Sequence, residues 1–110
     1  RPALGKVAIE NSDLVIITAV DWYPSEHVND IVNQIAKGCL LSGGRLGESF
    51  WKISDREKAI EFTINMAEAG DVVIIAGKGH EKSLSINGKE FPWSEVSKTQ
   101  EAITRRMQNE

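Results

Sequence analysis

The chain has 110 residues, enough for one domain around a single core and too few for two. A formal charge of −3 excludes broad electrostatic capture of nucleic acid or an acidic membrane. One cysteine, Cys39, excludes an internal disulfide or a zinc site, and the absence of a leader or of an apolar stretch near the ~20 residues of a membrane span points to the cytoplasm.

The opening "RPALGKVAIENSD" predicts a helix, with Pro2 suited to its first turn and Leu4, Val7 and Ala8 on one apolar face. The chain thus starts in mid-unit, as a piece of a larger protein does. "LVIITAV" (residues 14–20) is an unbroken apolar run of the kind buried on both faces of a parallel sheet. In "SEHVNDIVNQIAKG" Ser25 can cap a helix whose buried face is Val28, Ile31, Val32 and Ile35, with Gly38 as its end. A Gly/Ser-rich connection leads to a short strand, "FWKI". Ser54 and Glu57 then read as a capping box for a helix that buries Ile60, Thr63, Ile64 and Ala67 and stops at Gly70.

"DVVIIA" (residues 71–76) is the third apolar run and reads as another strand. Beyond it, "SLSINGKEFPW" alternates around Asn87-Gly88, a type I′ hairpin signal, and Pro92 restricts the second arm to an edge. Ser94 starts a last amphipathic helix, near whose end lie Arg105 and Arg106, where a helix dipole favours cations. Strands separated by helices imply right-handed crossovers. The expected fold is α/β, a three-layer Rossmann-like sandwich, mostly parallel, with a C-terminal antiparallel hairpin at the edge.

In such sheets ligands bind beyond the carboxyl ends of the strands. Two loops leave those ends with chemistry: "VDWYPSEH" (residues 20–27) and "GKGHEKS" (residues 77–83). Gly77 and Gly79 permit a sharp turn that offers bare peptide groups to a ligand. Lys78 could bind a carboxylate or phosphate, Glu81 an ammonium group, and His80 could donate a hydrogen bond. The same residues also read as a tight turn carrying two solvated charges. Trp22 and Tyr23 could form an aromatic wall or pack on a neighbouring domain. Asp55 and Arg56 open a helix, and capping accounts for the aspartate. No Walker loop is present, because Val72 stands where the first glycine is needed, and a dinucleotide fingerprint fails at Lys82. Neither a catalytic residue nor a metal ligand set is expected within the chain.

At "AGKGHE" the sequence resembles the C-terminal domain of the Mur ligases, and among them the UDP-N-acetylmuramyl-tripeptide synthetases. The resemblance extends through "RPALGKVA", "DLVIIT", "SEHVNDIV", "FWKISDREKAI", "GDVVIIAGKGHE" and "GKEFPWSE", almost the whole chain. It implies that residues 1–110 are the amino-acid-binding domain of a larger ATP-dependent ligase of peptidoglycan precursor synthesis. Such an enzyme adds the third residue, diaminopimelate, lysine or another amino acid, to UDP-N-acetylmuramoyl-L-alanyl-D-glutamate through an acyl phosphate. ATP and magnesium would be held mainly by a central domain outside this chain, and the chain alone would be inactive. By the same resemblance Gly77, through its carbonyl, and Glu81 receive the far end of the amino acid, while Lys78, Gly79 and His80 shape the loop.

Two departures stand out. The family's diaminopimelate-adding members carry D-N-P-R after the first apolar strand; here Asp21 aligns, but Trp22, Tyr23 and Pro24 replace the other three. Proline cannot supply an arginine's bidentate carboxylate clamp, so the amino acid added is open. The family domain's first strand would fall before Arg1, which suggests an apolar gap and a dimer formed across it. Two other functions stay in view: a relative that adds glutamate to a folate or a polymer, and a non-catalytic small-molecule-binding α/β module.

Overall fold

The computed structural model of the chain describes residues 2–19, 27–78, 81–86 and 89–109. Helix α1 (Pro2–Asn11) leads into strand β1 (Val15–Ile17), helix α2 (Val28–Leu41), strand β2 (Phe50–Lys52) and helix α3 (Arg56–Met66). Strands β3 (Ser83–Ile86) and β4 (Lys89–Pro92) and helix α4 (Glu95–Gln108) complete the order.

β1 and β2 pair in parallel, Val15 opposite Phe50 and Ile17 opposite Lys52. Successive side chains on a strand face opposite ways, and both faces of this ladder are covered. Phe50, with Ile17, packs among Val32, Ala36 and Cys39 of α2, and Ile9 of α1 closes the cluster. Trp51 turns the other way and meets Phe62 of α3, ring centroids 5.7 Å apart. A second cluster joins Ile60 and Ile64 of α3 to Ala102 of α4. The layers are therefore α1/α2, the parallel ladder, and α3/α4, which is the predicted α/β arrangement.

Several details differ from the sequence reading. The face that α1 buries is not Leu4 and Val7, which are exposed, but Gly5, with Ile9 partly buried. A Cβ on Gly5 would lie 2.0 Å from the Ile35 carbonyl oxygen, so α1 and α2 touch backbone to backbone. Gly38 belongs to this contact and does not end α2, which runs on to Leu41 with Ser42 as C-cap. The N-cap of α2 is His27, whose Nδ1 accepts from the Asn29 amide at 3.3 Å; Ser25 lies outside the described residues. For α3 the cap is Asp55, accepting from the Lys58 amide at 3.0 Å, while Ser54 Oγ donates to Asn29 at 3.1 Å. Ser94 caps α4 as predicted.

Residues 71–76 form no strand. An apolar run becomes a strand only where a neighbour completes its backbone hydrogen bonds, and among the described residues β1 has β2 alone beside it. Val72 and Ile74 are consequently 86% and 84% exposed, while Ile75 packs against Ile60, Ile64 and Ala102. The hairpin exists, with Ser83 opposite Pro92 and Ile86 opposite Lys89, but as a separate two-stranded sheet and not as an edge of the first. Its turn, Asn87-Gly88, lies outside the described residues.

Candidate functional site

The rim at the end of the parallel ladder is assembled by a buried arginine. Arg56 opens α3 and is 5% exposed. Its Nη1 donates to the Ala19 carbonyl at 3.2 Å and its Nη2 to the Ala76 carbonyl at 2.9 Å. Nε donates to Glu95 Oε2 at 3.1 Å, and Nη2 also pairs with Glu95 Oε1. Glu95, 6% exposed, accepts a further bond from Trp93 Nε1 at 2.7 Å. Two buried charges are tolerable only when paired and hydrogen-bonded in this way. The ends of both apolar runs, at Ala19 and Ala76, are thus held to one guanidinium.

Beyond Ala76 comes Gly77 at φ +114°, a conformation that side-chain-bearing residues rarely adopt. It directs the chain into a short turn in which the Glu81 amide donates to the Lys78 carbonyl at 3.2 Å. The Lys78 side chain is only 3% exposed, and its Nζ lies 2.6 Å from Glu81 Oε2. The Glu81 side chain is 54% exposed. Lys78 is therefore an internal counter-ion, and Glu81 is the half of the pair that faces solvent. A carboxylate accepts through two oxygens, so an ion pair to one of them leaves Glu81 able to accept from a ligand's ammonium.

Of the residues singled out by sequence, Gly77, Lys78 and Glu81 are brought together in this turn. Gly79 and His80, and likewise Asp21, Trp22 and Tyr23, lie outside the described residues. Of the two readings of Lys78, a solvated charge does not hold: its side chain is buried and paired with the Glu81 carboxylate. Cys39 is fully buried, its Sγ 3.5 Å from the Gly5 carbonyl oxygen, and burial pushes its thiol pKa up. Arg56 is the contributor to the rim that sequence reasoning missed. A signal existed: a cation in the first turn of a helix opposes the dipole, so its position required some other partner.

Among the described residues no three of His, Cys, Asp and Glu come together in a way that could hold a metal ion. With no Walker loop in the sequence, these residues do not fit a magnesium-nucleotide site. No helix among them is long and apolar enough to cross a membrane.

A parallel ladder between two helical layers, with a glycine turn and a half-exposed acid at its rim, defines a Rossmann-like α/β domain. The sequence model of the family "Mur ligase, glutamate ligase domain" matches residues 1–79, and the chain belongs to that family. It is 37% identical over 106 residues to a UDP-N-acetylmuramoyl-L-alanyl-D-glutamate–2,6-diaminopimelate ligase of Fusobacterium nucleatum, covering 96% of this chain and 21% of that protein. It is 36% identical over 103 residues to a UDP-N-acetylmuramyl-tripeptide synthetase of Roseiflexus sp., covering 94% of this chain and 20% of that protein. A solved structure of a UDP-N-acetylmuramoyl-L-alanyl-D-glutamate–2,6-diaminopimelate ligase superposes with a TM-score of 0.74 at 31% identity, covering 97% of this chain and 21% of that one. The chain therefore spans about a fifth of the length of the relatives it matches.

Proposed function

We propose that this chain is the amino-acid-binding domain of a cytoplasmic ATP-dependent ligase that adds the third residue to UDP-N-acetylmuramoyl-L-alanyl-D-glutamate. The observation that carries the reading is the half-exposed Glu81, paired with Lys78 just beyond Gly77, next to the rim where Arg56 holds the Ala19 and Ala76 carbonyls. Support comes also from relatives over a third identical that bear this activity in their names.

On this reading Glu81 and the Gly77 carbonyl receive the distal polar end of the incoming amino acid. Lys78 keeps Glu81 oriented and shares its charge with the arriving ammonium. Amide formation needs a free amine placed against an activated carboxyl and shielded from water. A domain that carries the amine-bearing reactant can meet both needs by closing on the domain that activates the acid. ATP and magnesium would be bound mainly by that other domain, in keeping with the lack of a Walker loop in this sequence. His80, Gly79 and the 21–23 segment would complete the pocket.

Trp22-Tyr23-Pro24 in place of Asn-Pro-Arg favours an amino acid whose carboxylate is held differently from diaminopimelate in the family's D-N-P-R members. Amino-acid-dependent release of ADP by the full-length protein, across a panel of diaminopimelate, lysine, ornithine and glutamate, tests the reading. One amino acid should stimulate release in the presence of the UDP-linked dipeptide. Stimulation by glutamate on a folate acceptor would move the protein to another branch of the family, and no stimulation by any would leave a binding module.

A further inference from the structure

Arg56 is buried and meets no group the proposed reaction uses, yet beyond its pair with Glu95 it donates to the carbonyls of Ala19 and Ala76 on the rim. A guanidinium is planar and rigid, with five donors in a fixed fork. Here one side of the fork, Nε and Nη2, is occupied by Glu95. The outward donors on Nη1 and Nη2 are taken by the Ala19 and Ala76 carbonyls. Because the fork does not flex, those two carbonyls have a separation set by the arginine. Ala19 lies two residues beyond β1, and Ala76 immediately precedes Gly77.

The anchor on the other side is equally specific. Glu95 lies in the first turn of α4, where a carboxylate is favoured by the helix dipole, and Trp93 Nε1 holds its Oε2. The Trp93 amide donates to the Lys82 carbonyl at 2.9 Å, directly after Glu81. Both ends of the Gly77–Glu81 turn are therefore attached to one network: its entry through Arg56 and its exit through Trp93.

We propose that Arg56, anchored by Glu95, is a positioning residue for the amino-acid site: without touching the substrate, it fixes the Ala19 and Ala76 carbonyls, and with them the entry to the Gly77 turn that leads to Glu81. This rests on the reading of the rim as an amino-acid site. Lysine at this position would keep the charge opposite Glu95 but donate from a single point, and so could not hold both carbonyls at a fixed separation. A misplacement of about 1 Å by a residue remote from the chemistry costs up to about 100-fold.

The test is Arg56→Lys in the full-length protein, with KM measured separately for the amino acid, the UDP-linked dipeptide and ATP. The proposal expects the amino-acid KM to rise by about 10- to 100-fold, with the other two KM values and kcat at saturation close to unchanged. Loss of folded enzyme alone would lower kcat for every substrate and leave each KM in place, and that pattern overturns it. Should Arg56→Lys fail to fold, Trp93→Phe decides: it removes one donor to Glu95 and leaves the Arg56–Glu95 pair intact. A smaller rise confined to the amino-acid KM then supports the proposal, and no change overturns it. Amide hydrogen exchange separates this inference from the functional reading. If the unsubstituted protein ligates no amino acid, the reading fails, but Arg56→Lys should still deprotect the peptides containing Ala19 and those containing Ala76 together, with α1 and α2 unaffected. Deprotection of only one of the two, or of neither, refutes the coupling whatever the enzyme does.

Discussion

Gly38 and Pro2 meet backbone to backbone: a Cβ at Gly38 would lie 1.8 Å from the Pro2 carbonyl oxygen. Alanine raises helix propensity at such a position by about 1 kcal/mol, but no side chain can move aside to relieve a clash with backbone. The helices must separate, and overpacking of that kind costs about 1–3 kcal/mol or more. Gly38→Ala should therefore lower the thermal midpoint of the chain by several degrees, against the propensity trend. An unchanged or raised midpoint would show that α1 is not seated on α2.

Arg106 reaches from α4 to the carbonyls of Ile64 and Ala67, at the end of α3. Helix C-termini leave carbonyls without intrahelical partners, and charged hydrogen bonds to such groups contribute about 1.5–3 kcal/mol. Arg106→Ala should cost about that much in urea unfolding. Arg105→Ala should cost less than about 0.5 kcal/mol, since its pair with Glu61 is half exposed and 3.5 Å long. Equal losses for the two arginines would contradict the assignment.

Those two residues show how far the sequence could be read. Adjacent arginines near a helix end have an adequate local explanation in their own helix dipole, and nothing in one dimension reveals that Arg106 serves a different helix. Gly38 is similar, because glycine stops helices more often than it lets two of them touch. Two of the three expected N-caps were legible to within one residue: Ser94 is correct, and Asp55 rather than Ser54 caps α3, with Ser54 drawn away to Asn29; for α2 the cap is His27, two residues beyond the expected Ser25. The layer order followed from the alternation of apolar runs and helices. The pairing of residues 71–76 did not, since hydrophobicity marks burial but not the presence of a neighbouring strand. The Gly77–Glu81 turn was visible in composition; the inward direction of Lys78 was not.

The exposed pair Val72 and Ile74 offers apolar side chains on a segment that pairs with no strand among the described residues, an arrangement that invites association. Sedimentation of the isolated chain should show concentration-dependent dimers, and Val72→Lys with Ile74→Lys should abolish them at a stability change within about 0.5 kcal/mol. Ile75→Ala faces the α3/α4 cluster and should instead cost about 1–3 kcal/mol. A clean monomer at all concentrations would remove the dimer.

Cys39 gives the pH dependence. Burial raises its thiol pKa above the ordinary 9.0, so the folded chain keeps a proton that the unfolded chain begins to lose near that pH. Its contribution to stability is complete below pH 9.0 and is lost as pH rises through and beyond it. Unfolding measured from pH 7 to 10 should show an alkaline decline that is smaller in Cys39→Ala. The native thiol should also resist a disulfide reagent at neutral pH and react on unfolding.

The role of Glu81 is the heart of the account, and steady-state kinetics of Glu81→Ala in the full-length protein addresses it most directly. Loss of one charged hydrogen bond, about 1.5–3 kcal/mol, should raise the KM for the amino acid by about 10- to 100-fold and leave the KM for ATP within a factor of about two. An amino-acid KM that stays put, or one that rises in step with the KM for ATP, would place the substrate elsewhere.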